Sequence, residues 1–166
     1  MDDFTVAALA DEALDAFLRA ESTARIGYVD RRGQPYIVPI TYAYDGDSFY
    51  GYSLLGAKIE SMGVHPRVCV EVDRISNATN WICAVALGEF ESLHGAHAID
   101  AVRRIADRLR TIARADALSN AAEQTYVSRV GGPGLAYRIR IAHKSGRQAS
   151  DAHWRESMKV PGIDET

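Results

Sequence analysis

Short runs of β-branched and aromatic residues, separated by tight-turn signals, fill residues 24–53 and constrain the fold more than any other feature of the sequence. The runs are 24–29, 36–44 and 48–53. Asp-Arg-Arg-Gly separates the first two runs and Asp-Gly-Asp the last two, and such turns between β-type runs are typical of antiparallel hairpins. We therefore predict a three-stranded antiparallel meander with tight turns.

Three further strands and four helices are predicted from the rest of the chain. The strands are residues 67–73, 81–87 and 137–141. Apolar residues at helical spacing predict helices at 5–19, 54–63, 98–114 and 116–130. Most strands follow one another without the intervening helix that a parallel sheet requires. The sequence therefore predicts an α+β, mainly β fold, a six-stranded antiparallel barrel with flanking helices, as a single domain over residues 1–166.

The strand predicted at residues 81–87 is apolar at every position, so both of its faces should be covered. Two arrangements would cover them. The strand lies in the centre of the fold, or a second subunit packs against its outer face.

Charge and composition narrow the class of partner and the compartment. The net charge is −3, with 14 acidic and 7 basic residues in 1–93 against 8 and 12 in 94–166, which argues against nucleic acid as the main partner. The longest apolar run is far shorter than the roughly 20 residues of a membrane span. The first residues are acidic, unlike a signal peptide, and Cys69 and Cys83 are expected as buried reduced thiols. We expect a cytoplasmic protein that does not bind a membrane.

Most sequence motifs that carry chemistry are absent. The chain has no Walker loop, dinucleotide fingerprint, nucleophile elbow, HExxH or paired CxxC. His94 and His97 are three residues apart but have no third ligand nearby, so we predict no metal site. No serine, histidine and carboxylate form a local catalytic signature, and the catalytic residues remain unidentified.

One segment, residues 49–58, combines features of a phosphate site. A predicted strand ends at Ser53, passes through a turn with Gly56, and enters a short helix that carries Lys58 near its start. Backbone N–H groups at a helix N-terminus, a hydroxyl and an ammonium group together bind phosphate. An ordinary glycine turn followed by a solvated lysine would have the same sequence, so both interpretations stay open at this point.

The residues around this segment resemble those of a known family. The resemblance rests on RIGYVDRRGQPYIVPITYAYDGDSFYGYSLLGAKIESMGVHPRVCVEVD from residue 25, NWICAVALGEFESL from residue 80, and YRIRIAHKSGR from residue 137. In order and spacing these segments are similar to the pyridoxamine 5'-phosphate oxidase-like FMN-binding split-barrel superfamily. The similarity is greatest to its short branch, which includes nitroimidazole-resistance and flavin-nucleotide-binding proteins. The resemblance implies that the predicted barrel is a split barrel.

The resemblance also implies a homodimer with FMN in grooves between the subunits. Ser53 and Lys58 would hold the phosphate, with the backbone of Gly56 and Ala57 assisting. The other implied cofactor positions are Val38, Pro39, Ile40 and Thr41 beneath the ring, Tyr52 next to Ser53, Asn80 and Trp81 from the partner chain, and Arg138 and Arg147 near the phosphate or the site entrance. Each has a structural alternative: Pro39 suits an edge strand, Trp81 a core or an interface, and the two arginines a solvated face.

The function implied is a flavin-dependent oxidoreductase that transfers a hydride to or from a small molecule. The alternatives are a non-catalytic flavin- or haem-binding protein and a deazaflavin-dependent reductase. Residues 148–166 lack the C-terminal signature of the pyridoxamine phosphate oxidases proper, which argues against vitamin B6 oxidation. Nitroimidazole-resistance proteins usually have a histidine at the position of Tyr52, which puts that activity in doubt as well.

Overall fold

The computed structural model describes residues 5–115 and 134–150. The strands are β1 (Thr5–Ala8), β2 (Thr23–Val29), β3 (Pro35–Thr41), β4 (Ala43–Tyr44), β5 (Ser48–Leu54), β6 (Arg67–Asn77), β7 (Asn80–Ser92) and β8 (Gly134–Ser150). The helices are α1 (Asp11–Ala20), α2 (Ala57–Val64) and α3 (Gly95–Ala115). None of the helices in these two ranges is long and apolar enough to cross a membrane.

The strands form one antiparallel sheet in the order β3-β2-β6-β7-β8-β5-β4, with β1 paired to the far end of β8. β3 and β4 lie at opposite ends of this order, so the sheet curls without closing. This confirms the predicted mainly β, α+β class and the split barrel. β7 lies between β6 and β8 along its whole length, but its outer face is exposed at Leu87, so this position alone does not cover both faces of residues 81–87.

The predicted number of six strands is wrong, because the described residues form eight. The run at 36–44 divides at Tyr42: β3 pairs with β2, whereas β4 pairs with β5. The predicted meander is therefore two separate hairpins. At the N-terminus, Thr5–Ala8 is a strand paired to Arg147–Ser150, and the helix begins only at Asp11, because the backbone of residues 5–8 bonds to the free edge of β8.

Two predicted strands also extend into segments expected to be loop or tail. β6 continues to Asn77 because β7 pairs with it almost to the turn, and β8 continues to Ser150 because β7 and β1 both pair with its second half. The helix predicted at 98–114 is confirmed as α3, which begins earlier, at Gly95. The helix predicted at 116–130 lies outside the described residues.

The main core lies on the concave face of the sheet. Leu14, Phe17 and Leu18 of α1 and Ile59 and Met62 of α2 pack there. Their partners on the strands include Ile26, Ile40, Val70, Val72, Ala84, Ala86, Phe90 and Ile139. A smaller core forms where α3 packs on β5 and β8. Its Tyr50 and Ala136 alternate along these strands with Phe49 and Tyr137 of the main core, so α3 covers the opposite face of the sheet there. That opposite face stays half-exposed between β3 and β7.

A hydrogen-bonded cluster joins α1 to β4 and β8. The Lys144 Nζ donates to Asp15 Oδ1 at 2.5 Å and to the Tyr44 hydroxyl at 2.7 Å, and that hydroxyl donates to Asp15 Oδ1 at 2.6 Å. The hydrogen bond from Lys144, and then that from Tyr44, lowers the pKa of Asp15 below its ordinary value of 3.8. The ionised carboxylate therefore stabilises the fold.

This cluster predicts an acid-dependent loss of stability. Because the pKa of Asp15 is lower in the folded state, its contribution is present above the unfolded value and is lost as the pH falls through the folded value. The free energy of unfolding should decrease as the pH falls from about 5 to about 2, and less steeply in Asp15→Asn. Urea unfolding at each pH measures this. Glu12→Gln, on the exposed side of the same helix, should follow the unmodified chain, and an equal slope in Asp15→Asn would contradict the assignment.

Candidate functional site

A groove lies where β3 and β5 diverge. The two strands approach each other near Tyr42. Ala43 pairs with Tyr50, and extending the same antiparallel register by two residues places Thr41 level with Tyr52. From there β3 stays with β2, and β5 stays with β8. The groove is thus bordered by residues 38–41 on one side and by the end of β5 and the start of α2 on the other. By this topology, two of the predicted groups of site residues flank the same gap between strands.

The second edge of β3 is open, since among the described strands only β2 pairs with it. Val38 and Ile40 turn their side chains into the core, whereas Pro39 is exposed and Thr41 is half-buried. A proline has no backbone N–H, so Pro39 is tolerated on this edge strand. The backbone groups of this segment can therefore meet a planar ligand in the groove.

The start of α2 has the features of an anion site. Gly56 precedes the helix, and no side chain caps the free N–H groups of its first turn. Lys58 is half-buried, burial lowers the pKa of its ammonium, and no carboxylate of the described residues pairs with it. The half-buried Ser53 hydroxyl donates its proton to the Leu54 carbonyl at 3.1 Å, so it would have to rotate in order to donate to a phosphate oxygen.

Tyr52 faces α3 rather than the phosphate segment. Its ring packs against Gly134, where an added Cβ would come within 2.6 Å of the Tyr52 Cζ. Both residues line a cavity of about 470 Å³ together with Leu93, Ala98 and Val102. Tyr52 is thus adjacent to the groove through the backbone of Ser53, and its cofactor contact stays a prediction.

Asn80 and Trp81 lie at the start of β7, three strands across the sheet from β3. Asn80 is buried, and its Nδ2 donates to Asn77 Oδ1 at 3.2 Å, which fixes the β6–β7 turn. Trp81 is half-buried and borders a cavity of about 310 Å³ with Arg74 and Gln148. Within one chain these residues do not reach the groove.

The two candidate arginines differ in their partners. The Arg138 Nε donates to Glu91 Oε2 at 2.7 Å, so a carboxylate already neutralises this guanidinium. Arg138 also lies opposite Tyr50, three residues along β5 from Ser53. Arg147 lies opposite Cys83 on the exposed face, close to Trp81 in register. The described residues thus divide the predicted site into a groove group and a group around Trp81.

A row of residues across the outer sheet face was missed from the sequence. Ile37, Gly27, Cys69 and Leu87 are directly opposite one another on β3, β2, β6 and β7. Ile37 is 73% exposed and Leu87 49%, and with Gly27 between them they border a cavity of about 590 Å³. Alternation along the regular part of β7 puts Trp81 on the same face. We call this row the outer apolar row.

Next to the outer apolar row is a charged cluster. The Arg25 Nη1 donates to Asp73 Oδ1 at 2.6 Å and to Glu71 Oε2 at 3.1 Å, and the Cys83 Sγ donates to Glu71 Oε1 at 3.4 Å. Burial, and then this hydrogen bond, raises the pKa of Cys83 to about 11, so the thiol is protonated and a poor nucleophile. Both cysteines are free, as predicted, but half-exposed rather than buried. No group of three metal-ligating side chains occurs in 5–115 or 134–150.

Comparison with known proteins assigns this chain to one family. The sequence profile described as pyridoxamine 5'-phosphate oxidase matches residues 10–148, which include the groove, the Trp81 end and nearly all of β8. The chain belongs to this family.

Individual relatives agree with this assignment. A FAD-binding protein of Mesorhizobium loti is 29% identical, with a TM-score of 0.69 over 89% of this chain and 98% of its own. A heme binding protein of Mycobacterium smegmatis is 11% identical, with a TM-score of 0.64 over 87% of this chain and 59% of its own, and shares the fold. An uncharacterized protein of Rhizobium meliloti is 38% identical over 63 residues, 38% of this chain and 42% of that protein, so the match spans less than half of that relative.

Proposed function

We propose that the chain binds FMN in the groove between β3 and β5 and uses it as an oxidoreductase. The observation that carries the proposal is the half-buried ammonium of Lys58, which has no carboxylate partner among the described residues and lies in the uncapped first turn of α2. A buried cation without a counter-ion is costly, and a phosphate dianion would remove that cost. The family and the FAD-binding relative support a flavin as the source of the phosphate.

The residues of the groove fit a flavin nucleotide. Lys58, the N–H groups of α2 and the Ser53 hydroxyl would hold the phosphate, and the open edge of Val38–Thr41 would meet the ring. A bound flavin supplies hydride and electron transfer, and the protein supplies its orientation and polarity. The apolar side chains under residues 38–40 keep water from one side of the groove. No acid or base of this chain is assigned to the reaction.

The proposal includes a homodimer formed through the outer apolar row. Exposed Ile37 and Leu87 and the cavity over Gly27 are the kind of surface that a second copy covers. The same face carries Trp81, so pairing through it would present Trp81 of the partner subunit to the groove of the first. Trp81 is otherwise three strands away from that groove.

The absorption spectrum of the purified protein tests the cofactor. We expect the two visible bands of an oxidised flavin and their loss when NADH or NADPH is added, followed by recovery with a quinone or nitroaromatic acceptor. A single intense Soret band would instead assign haem. Flavin bands that no donor bleaches would leave a flavin-binding protein and contradict the oxidoreductase. Competition of FAD and of a deazaflavin against FMN, in a titration of the apo-protein, shows which flavin the groove prefers.

The dimer predicts a mass change on introducing one charge. Leu87→Asp should convert a particle of twice 18.2 kDa to one of 18.2 kDa, because an unpaired carboxylate in an apolar interface opposes association. Sedimentation equilibrium measures the mass. Ile99→Asp, at a residue of α3 that is 55% exposed, is the control and should leave the mass unchanged. A monomeric unmodified chain at micromolar concentration, or a dimeric Leu87→Asp, would overturn this interface.

A further inference from the structure

A second cationic cavity, which shares no residue with the proposed flavin groove, lies between the end of α1, strand β4 and α3. Its volume is about 330 Å³. The lining residues are Arg19, Glu21, Ala43, Tyr44, Arg104, Asp107, Arg108 and Thr111. We call it the arginine pocket, since three guanidinium groups from two helices converge there.

Two of these guanidinium groups lack a counter-ion among the residues that the structure describes. The Arg19 Nη2 donates to the Asp45 carbonyl at 3.2 Å, and Arg108 donates to the Glu21 carbonyl at 3.1 Å and to the Ala20 carbonyl. Neither forms an ion pair with a carboxylate within residues 5–115 and 134–150. The Arg108 Nε is in addition buried, with no acceptor in the described part of the chain. Buried donors are nearly always satisfied in proteins, so an unfilled one marks a position where an acceptor is missing.

The acidic residues of the pocket are already engaged elsewhere. The Glu21 carboxylate accepts from the Arg74 Nε at 2.8 Å, and the Asp107 carboxylate pairs with Arg110 at 2.6 Å. The third arginine, Arg104, is paired with Asp100 at 2.7 Å and approaches Asp45 at 3.7 Å. The pocket therefore keeps an uncompensated positive charge from Arg19 and Arg108.

We propose that the arginine pocket binds a small phosphate dianion, either inorganic phosphate or the phosphate group of a small monoester. The charge of a dianion matches the two uncompensated arginines, and guanidinium forks bind phosphate oxygens through paired hydrogen bonds. A phosphate oxygen would reach the Arg108 Nε after a small shift of the guanidinium toward the pocket, because that atom is buried in the present arrangement. The volume exceeds that of phosphate alone, which leaves room for a short ester group.

The test is calorimetric titration of the full chain with inorganic phosphate and, separately, with glycerol 1-phosphate, at constant ionic strength set by chloride. We expect saturable binding of one anion per chain at this pocket. Arg108→Gln and Arg19→Gln should each weaken it by about tenfold or more. Arg103→Gln removes the same charge from an exposed position of the same helix and should leave the affinity unchanged. Tighter binding of the monoester would identify an ester as the source, and equal or weaker binding would identify free phosphate.

The flavin groove could also bind these probes, and Lys58→Ala separates the two sites. Binding that survives in Lys58→Ala and is lost in the arginine variants supports the pocket. Binding lost in Lys58→Ala and retained in Arg108→Gln would overturn it and leave the flavin proposal intact. An absence of binding, or an equal loss of affinity in Arg103→Gln, would also overturn the proposal. Arg19 and Arg108 would then serve only to donate hydrogen bonds to the carbonyls they contact. Arg19→Gln keeps the test valid if loss of the Arg108 contacts unfolds the chain.

Discussion

Lys58→Glu should weaken FMN binding by more than about a hundredfold, and Lys58→Ala by about tenfold to a hundredfold. The alanine variant removes one charge-assisted contact to the phosphate, and the glutamate variant adds a like charge beside it. Folding should survive both changes, because Lys58 is only half-buried and makes no ion pair with the described carboxylates. Quenching of flavin fluorescence on titration into the apo-protein gives the affinities.

The matched control for Lys58 is Arg32→Glu. Arg32 lies exposed in the β2–β3 turn, so this variant makes the same change of charge outside the groove and should bind FMN like the unmodified chain. Circular dichroism must show all variants folded. Unchanged binding by a folded Lys58→Glu would show that the phosphate lies elsewhere and would end the assignment of the groove.

Gly51→Ala should lower the free energy of unfolding by about 2 to 3 kcal/mol or more. A Cβ at Gly51 would lie 2.3 Å from the Tyr137 Cζ. The Tyr137 ring cannot withdraw easily, because the residue is 1% exposed and packs against Phe90 with ring centroids 5.5 Å apart. Urea unfolding measures the loss.

Gly63→Ala is the control, because an added Cβ at this exposed glycine of α2 would meet no atom within 4 Å. Its stability should stay within about 0.5 kcal/mol of the unmodified chain or rise slightly. Removing the ring should relieve the clash, so Gly51→Ala combined with Tyr137→Leu should cost less than the sum of the two single changes. Additive losses would show that contact with Tyr137 is not the cause.

The elements that depend on local pattern were predictable from the sequence. The hairpin turns, the apolar stripe of α3 and the strand–turn–helix conformation of the segment from Ser53 to Lys58 all follow from residues close together in the chain. The separation of β3 from β4 at Tyr42 could not be predicted in this way, because the run at 36–44 is continuous in β-type residues. It is divided only because its two halves pair with different strands.

Features assembled from distant segments could not be predicted from the sequence either, because they depend on which strands pair and in which register. The outer apolar row takes one residue from each of four strands, and its members face one way only because of the pairing register. The arginine pocket joins Arg19 to Arg108 across 89 positions, and the sequence indicated only that the C-terminal half is basic. The pairing of Arg138 with Glu91 is likewise a cross-strand contact that no local pattern reveals.

Tyr42, where the chain leaves one half of the sheet for the other, sets the width of the groove before any ligand arrives. The residue is 1% exposed, its hydroxyl donates to the Leu18 carbonyl at 2.9 Å, and its backbone N–H donates to the Ser22 carbonyl at 3.0 Å. The conformational entropy that the chain loses when β3 and β5 are held apart is therefore lost on folding and not when the ligand binds. A preorganised cleft of this kind retains more of its contact energy as affinity, and its occupancy should follow diffusion of the ligand rather than a slow rearrangement of the strands.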